Sequence, residues 1–100
     1  MKVYRNAVIR VSPDAIEKVE HAMHAFAAEV RTSFPEVTWW TARGVHDWRT
    51  YFAAMSFPDE ATQDRVASSP QMQRFVDAMQ EHVGSVRWFD WVPVASTGEP

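Results

Sequence analysis

Residues 48–57 (WRTYFAAMSF) restrict the fold more than any other stretch of the chain. As an extended strand they place Tyr51, Ala53, Met55 and Phe57 on one face and Trp48, Phe52 and Ala54 on the other, because successive side chains alternate sides. Both faces are apolar. Such a strand belongs to a sheet covered on two sides. If helices cover one face, the other is an apolar patch that needs its own cover. An identical sheet related by a twofold axis is the simplest one, so a homodimer is expected.

The flanking pattern supplies the other elements. Residues 3–11 (VYRNAVIRV) alternate, with Val3, Ala7, Ile9 and Val11 on one face, and residues 36–45 (EVTWWTARGV) and 86–94 (VRWFDWVPV) also read as strands. His46-Asp47 is the expected tight turn of a hairpin joining the second strand to the third. Ser12-Pro13-Asp14 opens a long helix, with Ser12 as its cap, Pro13 in the first position and Asp14 at the positive end. Its apolar stripe is Ile16, Val19, Met23, Phe26, Ala27 and Val30, and it ends before Pro35. Pro58-Asp59-Glu60 begins a short helix to about Ala67. Ser69-Pro70 begins another, with Met72, Phe75, Val76, Met79 and Val83 as its stripe and Gly84 as its stop. A polar tail, residues 95–100, is expected to be disordered. The order β-α-β-β-α-β predicts an α+β, ferredoxin-like domain over residues 3–94, a four-stranded antiparallel sheet with helices on one face.

Composition closes off several functions. With no cysteine, thiol redox chemistry and thiolate metal sites are excluded, and three glycines cannot build a glycine-rich phosphate loop. A net charge of −3 argues against a phosphate-backbone binder. The RNA-recognition motif shares the order of elements, but Thr50 and Ala53 stand where it needs a glycine and an aromatic; no nucleic-acid partner is expected. No apolar run reaches membrane-spanning length, so no membrane partner and a cytoplasmic location are expected. Five tryptophans among thirteen aromatic residues suit a broad apolar contact or an aromatic-lined cavity.

Three motifs carry a family likeness: the strand-turn-strand WWTARGVHDWRTYFAAMSF, the PDEA that starts a short helix, and the SSPQMQRFVDAM that leads into the last one. Over about residues 3–94 they resemble the antibiotic biosynthesis monooxygenase (ABM) domains of the dimeric α/β-barrel superfamily. Its members include cofactor-free oxygenases of polyketide quinones, haem-degrading enzymes and domains of no known activity. The resemblance implies a dimeric α/β barrel with a pocket between sheet and helices. Asn6 resembles the first-strand asparagine of the haem-degrading branch. Ser56 stands where both branches have a tryptophan, and Arg74 or Phe75 stands where the haem-degrading branch has its axial histidine. No haem ligand, and no cofactor of any kind, is therefore expected.

Asn6 lies in an otherwise apolar strand. Its amide either pins neighbouring backbone or points into a ligand cavity, where it could hold a substrate oxyanion. The resemblance makes it the candidate catalytic residue and sets Ser56 in the same pocket. Strand parity adds Phe52 and, of the adjacent pair Trp39 and Trp40, Trp40. Phe75 and Met79 close the proposed cavity from the helix side. Arg5 and Arg10 have opposite parity, so one faces a buried side and wants a carboxylate, for which Asp90 is the candidate. Glu17, His21 and His24 share a helix face but lack a fourth ligand, so solvated histidines and no metal are expected. The expected activity is cofactor-independent oxidation of a planar aromatic or quinone-type molecule. The alternative is a non-catalytic ligand-binding or oligomerisation domain of the same fold.

Overall fold

A computed structural model describes residues 2–95 and 97–98. The elements are β1 (Val3–Val11), α1 (Ile16–Ser33), β2 (Thr38–Arg43), β3 (Thr50–Phe57), α2 (Glu60–Ala67), α3 (Pro70–Gln80) and β4 (Val83–Trp91). The strands form one antiparallel sheet in the order β2-β3-β1-β4. This is the α+β ferredoxin-like arrangement that the periodicity predicts.

Cross-strand register assigns the faces. Trp39 pairs with Met55, Met55 with Arg5, and Arg5 with Asp90. One position along, Trp40 pairs with Ala54, Ala54 with Asn6, and Asn6 with Phe89. The first row faces the helices and the second the open side, since directly paired residues share a face. The buried row of Ala7, Ile9, Val11, Tyr51, Ala53 and Met55 packs against Val19, Met23, Phe26 and Val30 of α1. Three rings knit the centre of this layer. Phe26 stacks on Phe75 at 4.5 Å between centroids and meets Trp39 edge-on at 5.2 Å, while Trp39 and Phe75 touch at 5.9 Å.

Several boundaries differ from the sequence expectation. Ser12 does not cap α1. Its own amide donates to the His82 carbonyl, its carbonyl accepts from Ala15, and the helix starts a turn later at Ile16 without a side-chain cap. Gly84 does not stop α3, which ends at Gln80; Val83 and Gly84 already belong to β4, across from a bulge at Arg10/Val11. β4 stops at Trp91 rather than Val94, consistent with Pro93, which has no amide hydrogen to pair. The hairpin loop spans residues 44–49, wider than the expected turn. Asp47 organises it, accepting from the Thr50 hydroxyl at 2.7 Å, the Arg49 amide at 3.3 Å and the Arg10 guanidinium at 3.0 Å. The Ser-Pro start of α3 is as expected: the Ser69 hydroxyl accepts from the Met72 amide at 3.1 Å and Pro70 is the first helical residue. Of the tail expected to be disordered, residues 96, 99 and 100 lie outside the described residues.

Candidate active site

Between the sheet and the helices lies a cavity of about 190 Å³. Its walls are mainly apolar: Phe26, Trp39, Phe75, Met72, Met55 and Trp88. Polar groups gather at the β1–β4 side, where Arg5 and Gln63 join the lining. The guanidinium of Arg5 grips Asp90 with two parallel bonds, Nε to Oδ1 at 2.8 Å and Nη2 to Oδ2 at 3.3 Å. Buried Gln63 donates its amide to Asp90 Oδ1 at 3.4 Å. The Arg5 hydrogen bond holds the Asp90 carboxyl below the usual carboxylate range. Arg5 is the one ionisable side chain among the described residues lining this cavity, and its Nη1 makes no hydrogen bond among them. A fixed guanidinium at the edge of an apolar box can stabilise an anion placed beside it.

The six residues expected to border one cavity do not do so. Asn6, Trp40, Phe52 and Ser56 come together, but on the open face, around a hollow of about 230 Å³ shared with Tyr4 and Thr38. Phe75 lines the helix-side cavity, and Met79 is buried in the core. The correction is one of parity. A shift of one residue along a strand reverses the face, and the helix-side cavity is lined by Arg5, Trp39 and Ala53, each the neighbour of a residue named from sequence. The side chain of Asn6 makes no hydrogen bond among the described residues, whereas the hydroxyls of Ser56 and Thr38 bond each other. The expected Arg5–Asp90 pair does form. Gln63 was missed; its signal was a place three residues before Val66, on the inward side of α2.

A second polar cluster joins α1 to the sheet. Buried Tyr51 donates its phenol to Glu20 Oε2 at 2.5 Å, and Arg43 Nη1 donates to the same oxygen at 2.8 Å. Burial and the adjoining Glu20 carboxylate push the Tyr51 phenol up to about 12 from an ordinary 10.0. A phenol whose pKa is raised on folding contributes its full stabilisation below pH 10 and loses it as pH rises through about 12. Absorbance titration of the folded protein should therefore show a late tyrosinate step near pH 12 that is missing in Tyr51→Phe. A Tyr51 ionising near pH 10 would contradict the buried hydrogen bond. His21 and His24 are exposed on α1, and no group of three or more potential metal ligands forms among the described residues.

No family model matches the chain, and no curated protein matches it. Solved structures do. A provisionally designated antibiotic biosynthesis monooxygenase from Bacteroides thetaiotaomicron superimposes with a TM-score of 0.89 at 13% identity, over 99% of this chain and 95% of that one. One of the same designation from Caulobacter crescentus gives 0.87 at 14% identity, over 94% and 91%. Rv0793 from Mycobacterium tuberculosis gives 0.86 at 13% identity, over 98% and 100%. The chain therefore has the fold of the antibiotic biosynthesis monooxygenases. No helix among the described residues is long and apolar enough to cross a membrane.

Proposed function

We propose that the protein is a cofactor-independent monooxygenase-like enzyme that oxidises a small planar phenol to a quinone in the helix-side cavity. The observation that carries this reading is an aromatic-walled cavity whose one ionisable lining group among the described residues is the Arg5 guanidinium. A phenol entering with its hydroxyl toward Arg5, at the solvent-reached edge of the cavity, gives its proton to water and has its anion stabilised by the guanidinium, while the apolar walls hold the ring. The phenolate is the electron-rich partner that dioxygen needs. One oxygen atom enters the ring at a C–H position, and the C–H and O–H hydrogens leave with the other as water. Trp39, Phe75 and Trp88 orient the ring; Asp90, itself held by Gln63, holds the guanidinium. A cavity of roughly 150 Å³ accepts benzene, so about 190 Å³ suits one ring or two fused rings.

The open sheet face supports a homodimer. Trp40 and Trp91 are each 53% exposed there, beside Phe52 and Val8, a set of rings that water solvates poorly. Asn6 and its hollow then lie inside the interface. A dimer mass in sedimentation at micromolar concentration is expected, and a monomer would remove this part of the reading.

Dioxygen uptake with a panel of mono- and dihydroxynaphthalenes tests the activity, alongside quenching of tryptophan fluorescence. Uptake matched one to one by quinone formation is the expected result. Saturable quenching without uptake would favour the second reading, a ligand-binding domain, which the absence of any ionisable base among the described cavity-lining residues also favours. Neither signal would overturn both.

A further inference from the structure

We infer that the cleft between α1 and β2 is a separate binding site for a small α-amino-acid zwitterion with an apolar side chain. This inference does not depend on the proposed oxidation. The cleft measures about 330 Å³, within the roughly 300–1,000 Å³ of small-molecule sites. Met23, Ala27 and Trp39 supply apolar walls, and Glu20 and Arg43 supply opposite charges at one end.

The hydrogen-bond inventory of that pair points to the ligand. A carboxylate accepts at two oxygens, yet both donors to Glu20, the Tyr51 phenol and Arg43 Nη1, converge on Oε2. Oε1 takes no hydrogen bond among the described residues. Arg43 commits one of the five N–H donors of a guanidinium. The pair thus retains an unused acceptor beside unused donors. Glu20 and Arg43 are in direct contact, Nη1 to Oε2 at 2.8 Å, so the remaining acceptor and donors sit on adjoining groups, and a complementary ligand must carry its own opposite charges on adjoining groups. An ammonium and a carboxylate on one carbon meet that requirement, whereas a longer spacer does not. The ammonium bonds Glu20 Oε1 and the carboxylate meets Arg43. His24, one turn beyond Glu20 on α1, lines the same cleft and adds an imidazole N–H. The side chain then lies against the Trp39 indole. Tyr51, buried below, fixes the Glu20 carboxylate in place before any ligand arrives, so little ordering cost remains.

L-phenylalanine is the probe, with phenethylamine and 3-phenylpropanoate as analogues lacking one charge each. Titration followed by the indole N–H resonances of the dimer or monomer as it exists should show saturable shifts with phenylalanine. Each analogue should bind at least tenfold more weakly, as should phenylalanine to Glu20→Gln or Arg43→Gln. Ala27→Phe leaves the ion pair intact, fills the cleft and should abolish the shifts; melting curves confirm that the variants fold. Equal binding of all three compounds, unchanged affinity in folded Glu20→Gln, or no shift at 10-fold excess over any concentration that saturates a comparable site (~1 mM Kd) would each overturn the proposal.

Discussion

Replacing Phe26 with alanine is expected to cost about 3–5 kcal/mol, the range for deleting a buried aromatic ring. Phe26 is 2% exposed and touches both other members of the aromatic triad, stacked on Phe75 and edge-on to Trp39. Its loss removes the ring's own burial and two ring contacts worth roughly 0.5–1.5 kcal/mol each beyond area. The neighbours cannot close the gap easily, because Trp39 is held by β2 pairing and Phe75 by α3. Domains of this size have a total stability of roughly 5–15 kcal/mol. Melting temperature should therefore fall by more than about 10 °C. Phe26→Leu keeps part of the volume and should cost clearly less. Since Phe26 also lines the helix-side cavity, the alanine variant gains room there, and indole added to it should recover part of the lost melting temperature. A drop of only a degree or two would mean that the triad is not the centre of the core.

Arg5→Gln is expected to lower turnover of an oxidised phenol by about 10²–10³, the effect of removing one donor to a developing oxyanion. The change should spare the fold, because the ion pair with Asp90 is partly solvent-exposed and contributes little to stability. A chromophoric nitrophenol gives a readout independent of turnover. Next to a guanidinium an acid ionises about 1–3 units lower, so the bound nitrophenol should turn to its coloured anion at lower pH in the native protein than in Arg5→Gln. Identical bound titration curves would show that Arg5 does not face the ligand hydroxyl. Asp90→Asn should change the nitrophenol titration far less, since it leaves the positive charge in place.

The sheet and helices were legible because their signals are local and redundant. α1 shows six apolar positions at three- and four-residue spacing, and α3 opens on a capping serine and a proline that has no amide to waste. The open sheet face was equally legible, since residues 48–57 are apolar on both parities. The membership of the cavity was not. Ala7, Ile9 and Val11 mark the core side of β1 from sequence alone, and that parity already sets Asn6 on the opposite side. Likeness of element order could align Asn6 and Ser56 with family positions only to within a residue, and one residue is a whole face in a strand. Arg5, paired in advance with Asp90, was the better pointer, since a charged side chain on an inward parity needs a structural reason. The Ser12 and Gly84 boundaries failed for another cause. Both are decided by pairing between chain segments far apart, Ser12 with His82 and Val83 with Val11, and no local preference reports it.

Trp39 lines both the helix-side cavity and the α1–β2 cleft. A single indole is thus the party wall of two chambers, and the two proposed occupants would share its placement. If a guest in one chamber selects one setting of the ring, the guest in the other must feel that choice by the same factor, because heterotropic coupling between binding equilibria is reciprocal. A bulky side chain in the cleft would then tune how large a ring the inner chamber accepts. Trp39→Phe, which thins that wall, is the change that would uncouple them.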